Sequence, residues 1–287
     1  MDIEKGKYWD VAWNPMVGCS KVSAGCRNCW AEKMARRMRG IAQRNLDQFM
    51  HRDFDGTAKY FGTVNEKGWT GYVRLEEDEI DKPLKWRKPR IVATCWMGDM
   101  FHYNGDALDV YRVLDSMERF GRPFDDWGNR WLGSDGFVKP HTFLVLTKRP
   151  ERMREIVGAW LAGYAHENKR AEIDHIWFGV SVEDQKSADE RLPHLQALKG
   201  VRPNMNTWVS VEPMLGSVVL YEYLDGIGQV VCGGETGPGS RPLVPVREFG
   251  LRMQCLGMRV PYFFKSWGGG KKDRRVDGVT WDDLAWV

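Results

Sequence analysis

"HTFLVLTKRPERMREIVGAWLAG", residues 141–163, decides how this chain folds. Thr142–Leu146 is a short, nearly unbroken apolar run, as expected of a strand buried on both faces. Thr147, Lys148 and Arg149 end it. Pro150 suits the first turn of a helix. Met153, Ile156, Val157, Trp160 and Leu161 then recur at the helical period. Strand, polar turn and amphipathic helix together make one βα unit.

The same rhythm runs along the chain. Strands are expected at Trp9–Trp13, Tyr72–Leu75, Arg90–Cys95, Thr142–Leu146, His175–Val180, Thr207–Val211, Gln229–Cys232 and Pro261–Phe264. Between them, Ala31, Met34, Ala35 and Met38 mark one helix. Asp106 is a candidate cap for another, with Leu108, Tyr111 and Leu114 facing inward. Ala188, Leu192, Leu195 and Leu198 mark a further helix, and Val246, Phe249, Met253 and Leu256 the last. Alternating strands and helices imply parallel pairing through right-handed crossovers. The expected fold is therefore α/β, a full or partial (β/α) barrel of six to eight mainly parallel strands. A doubly wound open sheet is the competing arrangement. One domain is expected over 1–287, with insertions near 40–71 and 121–140. Loops of that length in a compact domain are usually lids or binding loops, and their aromatic residues argue against disorder.

The chain has no run of eighteen apolar residues, so no membrane span is expected. The opening "MDIEKGKYWD" is charged and lacks an apolar signal core. A cytosolic protein is the expectation. A net charge of +3 permits a nucleic-acid partner without demanding one. The 14 tryptophans are the unusual feature of the composition. Trp fills cores, but it also stacks on bases. Arg36, Arg37 and Arg39 on the first helix, and "KKDRR" at Lys271–Arg275, fit either a phosphate backbone or a solvated face.

In a parallel barrel, chemistry collects at the C-terminal ends of the strands. Those positions hold Thr94, Asp99 and His102, then Thr147, Lys148 and Arg149, Ser181 with Glu183, Ser210 with Glu212, Gly233–Gly234–Glu235 with Arg241, and Lys265. A ring of Asp99, Lys148, Glu183, Glu212, Glu235 and Lys265 would bind a highly polar ligand. The competing reading is a set of structural ion pairs across the barrel top. "CGGETGPGS", Cys232–Ser240, lacks the Lys-Ser/Thr of a phosphate loop. A backbone that approaches a ligand closely is the safer reading.

Three of the six cysteines, Cys19, Cys26 and Cys29, fall within "WNPMVGCSKVSAGCRNCWAEK", residues 13–33. Cys95, Cys232 and Cys255 are scattered and read as small buried residues. In a reducing compartment a tight cluster argues for metal ligation over disulfides. Structural zinc would need a distant fourth ligand such as His102. A [4Fe-4S] cluster takes one thiolate per iron, so three cysteines leave one iron open. S-adenosylmethionine (SAM) can chelate an open iron through its amine and carboxylate. Reductive cleavage of its sulfonium then gives a 5′-deoxyadenosyl radical. Trp30, directly after Cys29, is placed to pack on the cluster or the adenine.

The segments "WNPMVGCSKVSAGCRNCWAEKMARR", "GDMFH", "LTKRPERM", "GVSVED", "VSVEPMLG", "GGETGPGSRP" and "FFKSWGG" together resemble a phage-associated protein family. That family is largely of unknown function and is grouped with the radical-SAM superfamily. The resemblance covers most of the chain in family order. It implies a radical-SAM-type barrel in which Cys19, Cys26 and Cys29 ligate a [4Fe-4S] cluster. The C-x6-C-x2-C spacing departs from the commonest superfamily spacing, C-x3-C-x2-C. On this reading Trp30, Asp99, Ser181, Glu212, Gly233, Gly234 and Glu235 are candidates for binding the cofactor. Lys148, Glu183 and Lys265 are candidates for the chemistry. The partners implied are SAM and a one-electron donor such as flavodoxin or ferredoxin. The substrate implied by the phage association is a modified pyrimidine nucleotide or DNA base, in the host cytoplasm. A radical enzyme acting on a free amino acid or peptide, and a zinc-stabilised binding module without chemistry, are the competing functions.

Overall fold

The computed structural model describes residues 2–49, 56–86, 88–119, 140–166, 171–270 and 273–287. Seven parallel strands form one sheet. They are β1 (Val11–Trp13), β2 (Ile91–Thr94), β3 (Thr142–Thr147), β4 (Ile176–Val182), β5 (Asn206–Val211), β6 (Gln229–Gly233) and β7 (Tyr262–Ser266). They pair in sequence order, and β1 and β7 are the two edges. The sheet curls into a half-barrel flanked by helices, the partial form of the expected barrel. The main helices are α1 (Trp30–Phe49), α2 (Ala107–Arg119), α3 (Pro150–His166), α4 (Gln185–Val201) and α5 (Pro245–Gly257). β5 passes to β6 without one.

Side-chain alternation assigns the two faces of the sheet. Phe143, Val145, Ile176, Phe178, Val180, Val209, Val230 and Phe264 join helix residues such as Met153, Val157, Leu192, Leu195 and Leu251 in the larger core. Their neighbours Leu144, Trp177, Trp208, Val231 and Phe263 point the other way. There they meet Tyr8, Leu284 and Trp286, so segments near both chain ends plug the concave side. Trp208 is fully buried in this plug, and its Nε1 donates to the Val145 carbonyl at 3.0 Å. A Cβ on Gly179 of β4 would lie 2.2 Å from that Nε1, so only glycine leaves the ring its place. Much of the tryptophan content is therefore packing.

Two expectations need correction. Tyr72–Leu75 adds no strand to the sheet. Arg74–Leu75 pairs antiparallel with Met16–Val17 as a separate ribbon. The final helix forms, but Val246, Phe249, Met253 and Leu256 face outward and are exposed. Its inner face carries Glu248, Leu251, Arg252, Gln254 and Cys255. Glu248 accepts from Arg252 Nε at 3.0 Å and from the Tyr262 hydroxyl at 2.9 Å. Gln254 accepts from Leu220 N at 2.6 Å and donates to the Val218 carbonyl at 2.9 Å. These bonds offset the desolvation that an apolar-periodicity argument assumes must keep polar groups outside. Leu108 is also exposed, although Asp106 caps its helix by accepting from Leu108 N at 2.9 Å.

Most of the insertion near 40–71 is described. After the end of α1 it forms a short hairpin, Val64–Asn65 with Gly68–Trp69. Tyr60 and Val64 bury against Ala31 and Ala35 of α1, with Trp69 packed at their edge. The insertion near 121–140 lies outside the described residues except for Pro140, as does Lys271. Among the described residues no helix is long and apolar enough to cross a membrane. Cys95, Cys232 and Cys255 are buried free thiols, as expected.

Candidate functional site

A cavity of about 460 Å³ opens at the C-terminal ends of the strands. One wall is the loop between β1 and α1, which presents Cys19, Cys26 and Cys29. All three are free and half-buried. Trp30, Asp99, Lys148, Ser181, Glu212, Gly234, Glu235 and Lys265 also line it. Seven stretches of sequence thus converge at the strand ends. Ser181 and Ser210 are register partners on β4 and β5. Each is followed two residues later by a glutamate, Glu183 and Glu212.

The charges of the ring are paired. Asp99 accepts from Arg149 at 2.6 Å, from Thr147 Oγ1 at 2.7 Å and from Phe101 N at 3.1 Å. Lys148 donates to Ser181 Oγ and to Glu183, both at 2.6 Å. Lys265 sits 2.8 Å from Glu212, which also accepts from the Tyr8 hydroxyl at 3.1 Å. Glu235 binds the Arg241 guanidinium and accepts from Asn28 at 2.9 Å. The two readings of the ring therefore combine. The same side chains line the cavity and form ion pairs across the barrel top.

Two predicted residues stand behind the cavity. Glu183 is buried beneath Lys148, bonded also to Arg191 at 2.9 Å and to Ser23 Oγ at 2.5 Å. It therefore grips the cysteine loop. Burial acts to raise its carboxyl, but the cations Lys148 and Arg191 outweigh it and hold the group below its ordinary range. Gly233 makes room for a neighbour, since a Cβ there would lie 2.8 Å from Glu212 Oε1.

The sequence reading placed Arg149 at a strand end but outside the ring, and it did not single out Asn28. Arg149 is almost fully buried and donates to the Ser20 carbonyl at 3.0 Å and to Ser20 Oγ at 2.9 Å, with Cys19 Sγ 3.7 Å away. Asn28 and Arg241 tie the other half of the loop to Glu235 and to the Ala24 carbonyl. A polar residue inside the C-x2-C spacing, and an arginine between a strand end and a helix-opening proline, were the available signals. Four tryptophan or tyrosine rings besides Trp30 also reach the cavity: Tyr8, Trp9, Trp69 and Trp96.

Burial pushes the Cys19 thiol up to about 12, with the Asp99 charge adding to it and Arg149 opposing it. Burial also raises Cys29. The Cys26 charge acts in the same direction on both of these thiols. Among the described residues no three His, Cys, Asp or Glu side chains are grouped to hold a single metal ion. His102, one candidate for a distant fourth zinc ligand, has Nε2 2.8 Å from Ser20 Oγ, and its Nδ1 accepts from Asn104 N at 3.1 Å. Both ring nitrogens are engaged, which does not suit a Cys3His zinc site. Three free thiols on one cavity wall are the donor type that an iron–sulfur cluster takes. Arg149 Nε, a buried donor without a hydrogen-bond partner, belongs to the same wall.

No curated protein and no solved structure matches this chain. A family model described as "Protein of unknown function (DUF5131)" matches residues 4–122 and 135–285. The break in the match falls inside the stretch expected as an insertion near 121–140, whereas 40–71 lies within the matched span. With nearly its whole length matched, the chain belongs to the DUF5131 family.

Proposed function

We propose that this protein is a radical SAM enzyme whose substrate is a nucleotide or a DNA base. The observation that carries the reading is the pairing of two walls in one cavity. Three free thiols come from one loop, and polar side chains come from the ends of the other strands. Cys19, Cys26 and Cys29 would hold a [4Fe-4S] cluster with one iron open to SAM. With one electron from an external donor, cluster and SAM would supply a 5′-deoxyadenosyl radical for hydrogen abstraction from an unactivated C–H bond, with methionine as the other product.

The protein's own part is positioning. Arg149, Asp99 and Glu183 fix the thiol loop through Ser20 and Ser23. Trp30 offers an exposed ring at the cavity wall for a planar base or adenine. Ser181, Glu212 and Glu235 present hydroxyl and carboxylate oxygens for an amine or ribose. Lys148 and Lys265 present ammonium groups for a carboxylate or phosphate. The aromatic lining supports a flat heteroaromatic substrate over a free amino acid or peptide. Hydrogen abstraction would end in rearrangement or group transfer on a pyrimidine substituent.

Anaerobic reconstitution tests the reading. About four irons and four sulfides per chain are expected, and 5′-deoxyadenosine forms when SAM and a reductant such as reduced flavodoxin are added. Cys26→Ala should lose the cluster and keep its fold. Stoichiometric zinc without iron, or a full cluster in Cys26→Ala, would overturn it.

A further inference from the structure

We infer that a basic groove along α1 holds the phosphate backbone of a nucleic acid strand and leads it to the cavity. The groove has a volume of about 580 Å³. Lys33, Arg36, Arg37, Arg39 and Arg44 line it, with Glu66 as its one acid. Glu66 is taken by Arg39 at 2.7 Å. Glu66 also acts on Arg36 at longer range, and among the side chains described no acid makes an ion pair with Lys33, Arg36, Arg37 or Arg44. α1 buries its opposite side, through Ala31, Ala35 and Ala42. The charges thus stand together on the side left open.

Their order along the helix gives the groove a direction. Trp30, Lys33, Arg37, Gly40 and Arg44 fall at i, i+3, i+7, i+10 and i+14, one stripe of an α-helix. The stripe covers about 16 Å from Lys33 to Arg44 at the helical rise, enough for several phosphates at the spacing of a strand. Its near end is Trp30, 48% exposed and part of the cavity wall. Lys33 Nζ lies 3.5 Å from where a Cβ on Gly237 would be, so it stands beside the loop that carries Glu235. A strand tracked by the arginines would meet an aromatic ring where it reaches the cavity.

Gly40 lies in the same groove. Glycine in mid-helix weakens the helix, and packing usually explains it. Here a Cβ would meet nothing within 4 Å, although Gly40 lines the groove. The bare backbone instead leaves room for a phosphate to approach the helix. Arginine is also the cation whose planar fork matches phosphate oxygens in pairs.

The inference rests on the reading of the cavity as a site for a base, and it selects a polymer over a free nucleotide. The test is fluorescence anisotropy of the full-length protein with a labelled single-stranded DNA oligonucleotide, across a salt series. Binding should weaken with a slope of about −0.7 in log K against log salt per phosphate contact. Arg37→Ala and Arg44→Ala should each weaken binding and flatten that slope by about 0.7. Gly40→Leu should weaken it about tenfold while circular dichroism shows the helix intact. Lys186→Ala removes an equal charge from the exposed start of α4 and should change nothing. Wild-type binding in all three groove variants would overturn the inference. So would equal weakening in Lys186→Ala, competition by a mononucleotide at equal concentration, or tighter groove-dependent binding to anionic vesicles. Cys26→Ala separates the two proposals. Oligonucleotide binding that survives in it supports the groove whatever the cluster chemistry proves to be. Loss of binding in the arginine variants, with SAM cleavage intact, ties the groove to substrate and not to the cofactor.

Discussion

Replacing Arg149 should cost stability and, separately, loosen the cysteine loop. Its guanidinium is almost fully buried and donates to Asp99, to the Ser20 carbonyl and to Ser20 Oγ. Arg149→Ala leaves the Asp99 carboxylate buried, with only Thr147 Oγ1 and Phe101 N to hold it. Removing one partner of such a pair costs about 3–5 kcal/mol. That is a large part of the roughly 5–15 kcal/mol that holds a folded domain together. At about 2–4 °C per kcal/mol, the melting temperature should fall by about 6–20 °C. Urea denaturation followed by tryptophan fluorescence measures the first effect. Iron bound after reconstitution measures the second, against Leu195→Ala, a core variant of similar cost, about 2–5 kcal/mol. Arg149→Ala should bind less iron, and Leu195→Ala should bind it normally once folded. A double-mutant cycle with Asp99→Asn closes the argument, because contacting partners couple by about 0.5–3 kcal/mol. Coupling near zero, or equal iron in both variants, would refute Arg149 as the residue that fixes Cys19.

Three further outcomes follow from the same geometry. Gly25→Ala places a Cβ 2.4 Å from Glu183 Oε1, which Lys148 and Ser23 hold while Arg191 holds Oε2; reconstituted iron should drop with little change in the urea midpoint. Trp208→Ala empties the barrel plug and should cost about 3–5 kcal/mol in the same denaturation assay. Arg241 pulls the Glu235 carboxyl from its ordinary 4.5 to about 2, so the bridge stabilises the fold above pH 4.5 and loses that effect as pH falls toward 2. Glu235→Gln should therefore melt below wild type at pH 7, and the two melting temperatures should converge near pH 2.

The fold was legible where both faces of a strand are apolar. Seven of eight expected strands join the sheet, because parallel strands covered by helices leave an unbroken hydrophobic run. Tyr72–Leu75 misled because two apolar residues suffice for a ribbon as well as for a strand. The last helix misled because Glu248, Arg252 and Gln254 are buried through specific partners, and apolar periodicity cannot register a satisfied polar group. For the site, the strand-end rule brought Asp99, Lys148, Ser181, Glu212 and Lys265 to one cavity. It could not separate Glu183, behind the wall, from Glu212, on it. That difference comes from Arg191, eight residues further on in α4.

The bonds that fix the cysteine loop also bear on the order in which the molecule is made. Ser23 is tied to Glu183, Ser20 to Arg149, Asn28 to Glu235 and Ala24 to Arg241. These partners lie from 129 to 217 residues downstream. The strands pair in the order of synthesis, so the sheet can grow behind the ribosome. The loop cannot settle with it, because closing such long spans awaits the residues at their far ends. The cysteine loop, translated ahead of its anchors, is thus among the last parts to be shaped. A nascent chain stopped before Arg241 would carry all three thiols without the anchors that arrange them, and any cofactor they take belongs to the finished chain.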